Sequence, residues 1–164
     1  MKALLLSFAL LFCFPFAVEA QSLNTYRWKS RLVLLFTPTP DDPMFERQIR
    51  LLHGQNDEFE ERNVVFMFIT PDGKFENTGR FLKQADAQKM YSKFGAEQFQ
   101  LEMVLVGLDG HEKFRAKNRI TPPSVLLNLI DQMPMRAAEI RGKGNRSRVG
   151  KKNSDSAGKR RSIN

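Results

Sequence analysis

The chain has 164 residues, 41% of them hydrophobic, a formal net charge of +8 and a single cysteine. That length suits one domain with an ordinary core, and a lone cysteine excludes a disulfide-stapled scaffold and a cysteine-ligated metal centre. The basicity belongs to one end: residues 142–164 carry eight lysines and arginines against one aspartate, Asp155, which leaves residues 21–141 close to neutral.

Met1-Lys2, the apolar run Ala3 to Phe14, Pro15 and the small residues Val18 and Ala20 have the pattern of a secretory signal peptide cleaved after Ala20. The run is too short to span a bilayer and Pro15 ends it, so a membrane anchor is not expected. Leu11-Phe12 before Cys13 lack the small residues of a lipid-attachment site. Cys13 lies inside the leader, so the exported chain is expected to have no thiol for a disulfide, a redox cycle or a metal. The expected compartment is periplasmic or extracellular.

Residues 21–29 read as an arm bearing Tyr26 and Trp28, and Trp28 is expected to pack in the core or at the domain edge rather than touch a ligand. Leu32 to Phe36 is a short continuous apolar run, the pattern of a strand buried on both faces. Pro38, Pro40 and Pro43 then forbid regular structure, and Asp42-Pro43 predicts a capped helix start with proline as its first residue. That helix should run to Leu52 or His53, with Phe45, Ile49 and Leu52 on one stripe and Glu46 paired with Arg50. A strand, a loop and a helix N-terminus can hold an anion or a nucleophile, yet Thr37 to Asp42 contains no cysteine, serine, lysine or histidine. The acidic run Asp57 to Glu61 reads as a solvated connector.

Asn63 to Thr70 is a second apolar strand, parallel to the first by the βαβ crossover rule. Pro71-Asp72-Gly73 is a turn, and Lys74 to Lys83 has no clear pattern beyond the packing anchors Phe75 and Phe81. Ala87, Met90, Tyr91 and Phe94 predict a second helix closed by Gly95. Leu101 to Leu108 reads as a third strand, Asp109-Gly110 as a hairpin turn, and His111 to Ala116 as a polar edge strand. Thr121-Pro122-Pro123-Ser124 should cap a third helix lined by Val125, Leu126, Leu129, Ile130 and Met133 and stopped by Pro134, with a further turn or two over 135–141. From Gly142 onward no apolar pattern remains, which predicts a disordered tail. The order βαβ, α, ββα is an α/β thioredoxin-like arrangement with a mixed four-stranded sheet flanked by helices.

Four pieces carry a resemblance: Tyr26-Arg27-Trp28-Lys29, Phe36-Thr37-Pro38 with Asp41-Asp42-Pro43, Gly107-Leu108-Asp109-Gly110, and Ile130-Asp131-Gln132-Met133-Pro134-Met135-Arg136. In that order they resemble a domain of unknown function. It occurs in extracellular sushi-repeat-containing proteins, as tandem copies in a secreted matrix-associated vertebrate protein, and alone in exported bacterial proteins. The resemblance covers about Tyr26 to Arg141. It implies a thioredoxin-like fold related to peroxiredoxins, and export, with adhesion and matrix roles in the animal members. It brings no catalytic residue.

Thioredoxin-like oxidoreductases need a thiolate at the helix start, where Thr39 to Asp42 stand here, and Asp41 and Asp42 would oppose any anion. Gln98-Phe99-Gln100 stand where many such folds place a cis-proline before the third strand. His53 and His111, the only histidines, have no third ligand and read as surface residues. The expectation is therefore a non-catalytic binding or scaffold module with no cofactor and no metal, its partner an unidentified protein or extracellular or periplasmic ligand. Candidate contact residues in the domain are Trp28, Asp41 and Asp42. An alternative is weak, salt-dependent binding of an anionic polymer by tail residues Lys143, Arg146, Arg148, Lys151, Lys152, Lys159, Arg160 and Arg161. The other alternative is a redox-associated, peroxiredoxin-like protein that depends on a partner's thiol. Asn145-Arg146-Ser147 is a glycosylation sequon in a eukaryotic source.

Overall fold

The computed structural model describes residues 23–74 and 84–142. The expected Phe75 and Phe81 anchors, the leader and the basic tail lie outside those residues. Strand β1 (Arg31–Phe36) is buried along its whole length. It pairs in parallel with β2 (Val64–Ile69) and antiparallel with β3 (Glu102–Val106), and β3 pairs antiparallel with β4 (Glu112–Lys117). The order β2-β1-β3-β4 puts the first strand inside the sheet. This is the thioredoxin-like arrangement.

The alternation of side chains along β1 divides the core in two. Val33 and Leu35 face α1 (Pro43–His53), α2 (Asn56–Glu61) and α4 (Pro123–Asp131) through Phe45, Leu52, Phe59, Leu126 and Ile130. Leu32, Leu34 and Phe36 face α3 (Gln84–Phe94) through Ala87, Met90 and Tyr91, and Tyr26 of the arm packs beside them. Each face of the sheet is thus covered by helices, which is what lets a central strand be apolar at every position.

Asp42 is the N-cap of α1: its Oδ1 accepts the Phe45 N–H at 2.8 Å, and Pro43 is the first helical residue. Asp42→Ala is expected to destabilise the domain by about 0.5–2 kcal/mol and Asp42→Asn by much less, because asparagine caps nearly as well. Asp41 is exposed, so Asp41→Ala should be close to neutral. Urea melts read all three, and an asparagine variant as unstable as the alanine one would contradict the capping role.

Several expectations are corrected. The acidic run 57–61 is not an open connector; it forms α2, because Phe59 gives it an apolar anchor whose ring meets Phe66 edge-on at 5.0 Å. Thr121 does not cap α4. Pro122 holds the cap position without a side-chain bond, while the Thr121 backbone exchanges two bonds with the buried Gln48 amide at 2.7 and 2.9 Å. Of the predicted α4 stripe, Leu126 and Ile130 are buried, while Val125 is exposed. Pro134 does not end α4, which already stops at Asp131; it opens a new helix, α5 (134–142), where a missing N–H costs nothing. The hairpin turn is a residue wider than a simple Asp-Gly turn. Gly110 donates to the Gly107 carbonyl at 2.9 Å and adopts φ +80°, a conformation glycine takes without strain.

Candidate functional site

The two ends of the sheet differ in what they hold. At the end where β1 finishes, the Thr37 hydroxyl donates to the Thr39 carbonyl at 2.8 Å and Asp42 occupies the helix-start donor. Tyr91 bonds from below to the carbonyls of Thr37 and Ile69, at 3.2 and 3.0 Å, and burial pushes its phenol well above its usual range. Across from the loop, Gln100 turns to Glu102 at 3.2 Å, and no cis peptide occurs among the described residues. His53 lies on the surface beside Asn56 at 3.2 Å, and His111 is exposed beside Asp109. No group of side chains able to hold a metal occurs among the described residues. At this end the helix start already has a carboxylate, that of Asp42, on the Phe45 N–H.

At the opposite end, where β1 begins, a cleft of about 370 Å³ opens between the β3–β4 turn and the α4–α5 junction. Leu108 and Lys113 line it from the hairpin, Leu129, Met133 and Met135 from the helices, and Arg31 from β1. Sequence reasoning started the strand at Leu32 and missed Arg31, which is 0% exposed. Its Nη2 donates to Glu139 Oε1 at 2.9 Å and its Nη1 to the Arg62 carbonyl at 2.7 Å, while Nε–H is buried without a partner.

Around Arg31 runs an ionic cluster that ties α5 to α2 and to the start of β2. Arg62 grips Asp131 with two bonds of 2.9 and 2.8 Å, the bidentate geometry that suits a guanidinium to a carboxylate. That bond holds the Asp131 carboxyl below its usual range and Arg62 above its own. Arg136, 3% exposed, donates to Glu61 at 2.9 Å and reaches Glu139 and Asp131 at 3.4 Å. Burial works against its charge, and the bonds to Glu61 and Glu139 outweigh it, so its affinity for the proton is raised. The Asp131 to Arg136 piece is therefore a clasp, with Met133, Pro134 and Met135 between the charges forming one wall of the cleft.

Trp28 does not pack into the core. It is 60% exposed with φ +64°, its N–H donating to the Leu108 carbonyl at 2.8 Å, and the Arg27 guanidinium lies 5.5 Å from its ring. A bulky residue in the left-handed region is costly, and here the bond to the hairpin holds it there. Trp28 thus stands by the cleft through Leu108, whereas Asp41 and Asp42 lie at the other end of the sheet. Lys143, Arg146, Arg148, Lys151, Lys152, Lys159, Arg160 and Arg161 are outside the described residues. Three of the four sequence pieces that carry the resemblance, around Trp28, Gly107 and Asp131, meet at the cleft end.

The thioredoxin-like fold is shared with solved peroxiredoxins. A reduced 2-Cys peroxiredoxin of Plasmodium vivax is similar at 18% identity with a TM-score of 0.55, over 73% of this chain and 72% of that one. Thioredoxin peroxidase I of Plasmodium yoelii is similar at 20% identity and a TM-score of 0.51, over 74% of this chain and 79% of that one. At such identities the likeness concerns the fold alone. Residues 22–139 match the family described as Domain of unknown function (DUF4174), and the chain belongs to that family.

Proposed function

We propose that this is an exported, non-catalytic binding domain whose contact face is the cleft end of the sheet, with Trp28 beside it. One observation carries the non-catalytic part. The position that a redox thiolate takes in this fold, the first turn of α1, is filled by the Asp42 carboxylate, bonded to the N–H that would otherwise stabilise a thiolate. The chain's one cysteine, Cys13, stands in the leader-like segment. The meeting of three resemblance pieces around the cleft supports that face as the one that binds.

The test is chemical. The exported protein should consume no peroxide with a dithiol reductant and should not react with thiol reagents. Sustained peroxide turnover by the protein alone would overturn the reading.

A second reading is favoured by the comparisons. The solved structures that resemble the domain are peroxiredoxins by name, which weighs toward a redox-associated protein working with a partner's thiol more than toward a plain scaffold. Peroxide consumption by a dithiol protein of the same compartment, measured with and without this domain, separates the two. Acceleration by the domain supports the second reading, and an unchanged rate supports the first.

A further inference from the structure

We propose that the end of the domain bearing Trp28 docks onto the surface of an anionic phospholipid bilayer. The proposal rests on the reading of this end as the contact face and adds the partner. No described helix is long and apolar enough to cross a membrane, so the contact is with the surface.

Charge favours such a partner. Arg27, Trp28 and Lys29 are consecutive and all exposed, so a cation stands on each side of the indole in sequence. The Arg27 side chain lies over Gly110 and shares a small hollow with Lys93 of α3, which is also exposed. Arg27, Lys29 and Lys93 make no ion pair among the described residues. The carboxylates of the neighbouring hairpin have cations of their own: Asp109 holds Lys113 and Glu112 holds Arg115, each at 2.6 Å. The positive charge around Trp28 is therefore not cancelled. The chain adds more at the same end. Glu139 of α5 meets Arg31 at the start of β1, and the residues that follow α5 carry the eight lysines and arginines of 142–164. Each such cation beside an anionic bilayer strengthens binding about fivefold, an attraction that salt screens.

The apolar part is Trp28 itself, held outward by a left-handed backbone and the bond from its N–H to the Leu108 carbonyl at 2.8 Å. Across the cleft from that turn stands Met135, also exposed. An indole settles at the boundary between headgroups and acyl chains, and arginine and lysine stems lie along apolar surface while their charges reach phosphate. Surface binding grows with buried apolar area and with electrostatic attraction, and this end of the domain offers both. A sugar ring or a nucleic-acid base would instead stack on the face of the indole, where the Arg27 guanidinium already lies 5.5 Å from the ring centre. A bilayer needs no bare face and takes the indole and the guanidinium together.

Trp28 is the chain's only tryptophan, so intrinsic fluorescence reports on this position alone. The exported protein, without its leader-like segment, is mixed with phosphatidylcholine vesicles and with vesicles containing about one-third phosphatidylglycerol. Sedimentation with the anionic vesicles alone is expected, with release at about 0.5 M salt. Trp28 emission should move to shorter wavelength and be quenched by brominated acyl chains. Trp28→Asn, a residue that tolerates the left-handed backbone, should weaken sedimentation at least about fivefold. Lys29→Gln combined with Lys93→Gln should weaken it by about tenfold or more. Thermal melts of each variant verify folding. Absence of binding to the anionic vesicles, or equal binding to the neutral ones, overturns the lipid partner. If heparin then shifts Trp28 emission, the partner is an anionic polysaccharide and this end survives as the contact face. Anionic vesicles that bind with Trp28 emission unchanged, and as tightly in both variants, overturn this end as the contact face as well.

Discussion

Arg31→Ala is expected to destabilise the domain by about 3–5 kcal/mol, a large part of the stability of a chain this size. The alanine removes a fully buried guanidinium that holds Glu139 and caps the Arg62 carbonyl, and it empties a wall of the cleft. Glu139 keeps partial access to water and a weaker contact with Arg136 at 3.4 Å, which sets the loss toward the lower end of that range. Glu139→Gln should cost less, because the amide oxygen can still accept from Arg31. A double-mutant cycle on the pair, read by urea melts, should give a coupling of about 1 kcal/mol or more. A loss below about 1 kcal/mol for Arg31→Ala would mean that the clasp does not fasten α5, and the account of the Asp131 to Arg136 piece would fail with it.

The same cluster marks the limit of what the residues announce. The fold was legible because its signals are local: five apolar residues from Leu32 for a central strand, Asp42-Pro43 for a helix start, and Gly95 with φ +57° at the end of α3. Such patterns are set by backbone geometry and burial within a few residues of one another. The cluster is long-range. Arg31 meets Glu139 across 108 positions and Arg62 meets Asp131 across 69, and no periodicity connects them. An arginine at a strand's edge normally reads as its solvated flank, so its complete burial has no sequence signature. The one available hint was the dense motif from Asp131 to Arg136, whose charges bracket three apolar residues. The exposure of Trp28 has no sequence signature for a related reason: aromatic residues are usually buried for area, and only the bond from its N–H to Leu108 reveals why this one is held outward. The loop at 37–42, by contrast, is legible as a capped helix start because capping needs only neighbours.

Glu102→Gln is expected to cost about 1.5–3 kcal/mol at neutral pH, the range for hydrogen bonds made to a charged group. Glu102 is 0% exposed and opens β3 beside the end of β1. Its carboxylate accepts from the Glu97 N–H at 3.0 Å, from Gln100 at 3.2 Å and from Arg115 at 3.0 Å, with Lys117 at 3.4 Å. Burial raises the affinity of this carboxyl for a proton, and the four donors reverse that, leaving it below its usual value. The glutamine sets an NH₂ group against at least one of those donors, so the loss exceeds one neutral hydrogen bond. Arg115 keeps Glu112 at 2.6 Å as a second partner, which holds the cost below that of a stranded buried charge. The sign with pH follows from the depressed value: the native state holds this proton less tightly than the unfolded chain does. Its stabilisation is therefore complete above the unfolded carboxylate value of about 4.3 and disappears as pH falls through the lower folded value. Asp131, Asp109 and Asp72 are shifted the same way, so the wild-type curve alone mixes at least four groups. The difference between wild type and Glu102→Gln isolates the one at issue. In urea melts that difference should be constant from pH 7 to about 5 and shrink below about 4. A deficit that stays the same at pH 3 would show that glutamine fails by its packing, and that the charge of Glu102 contributes nothing to holding β3, β4 and the end of α3 together.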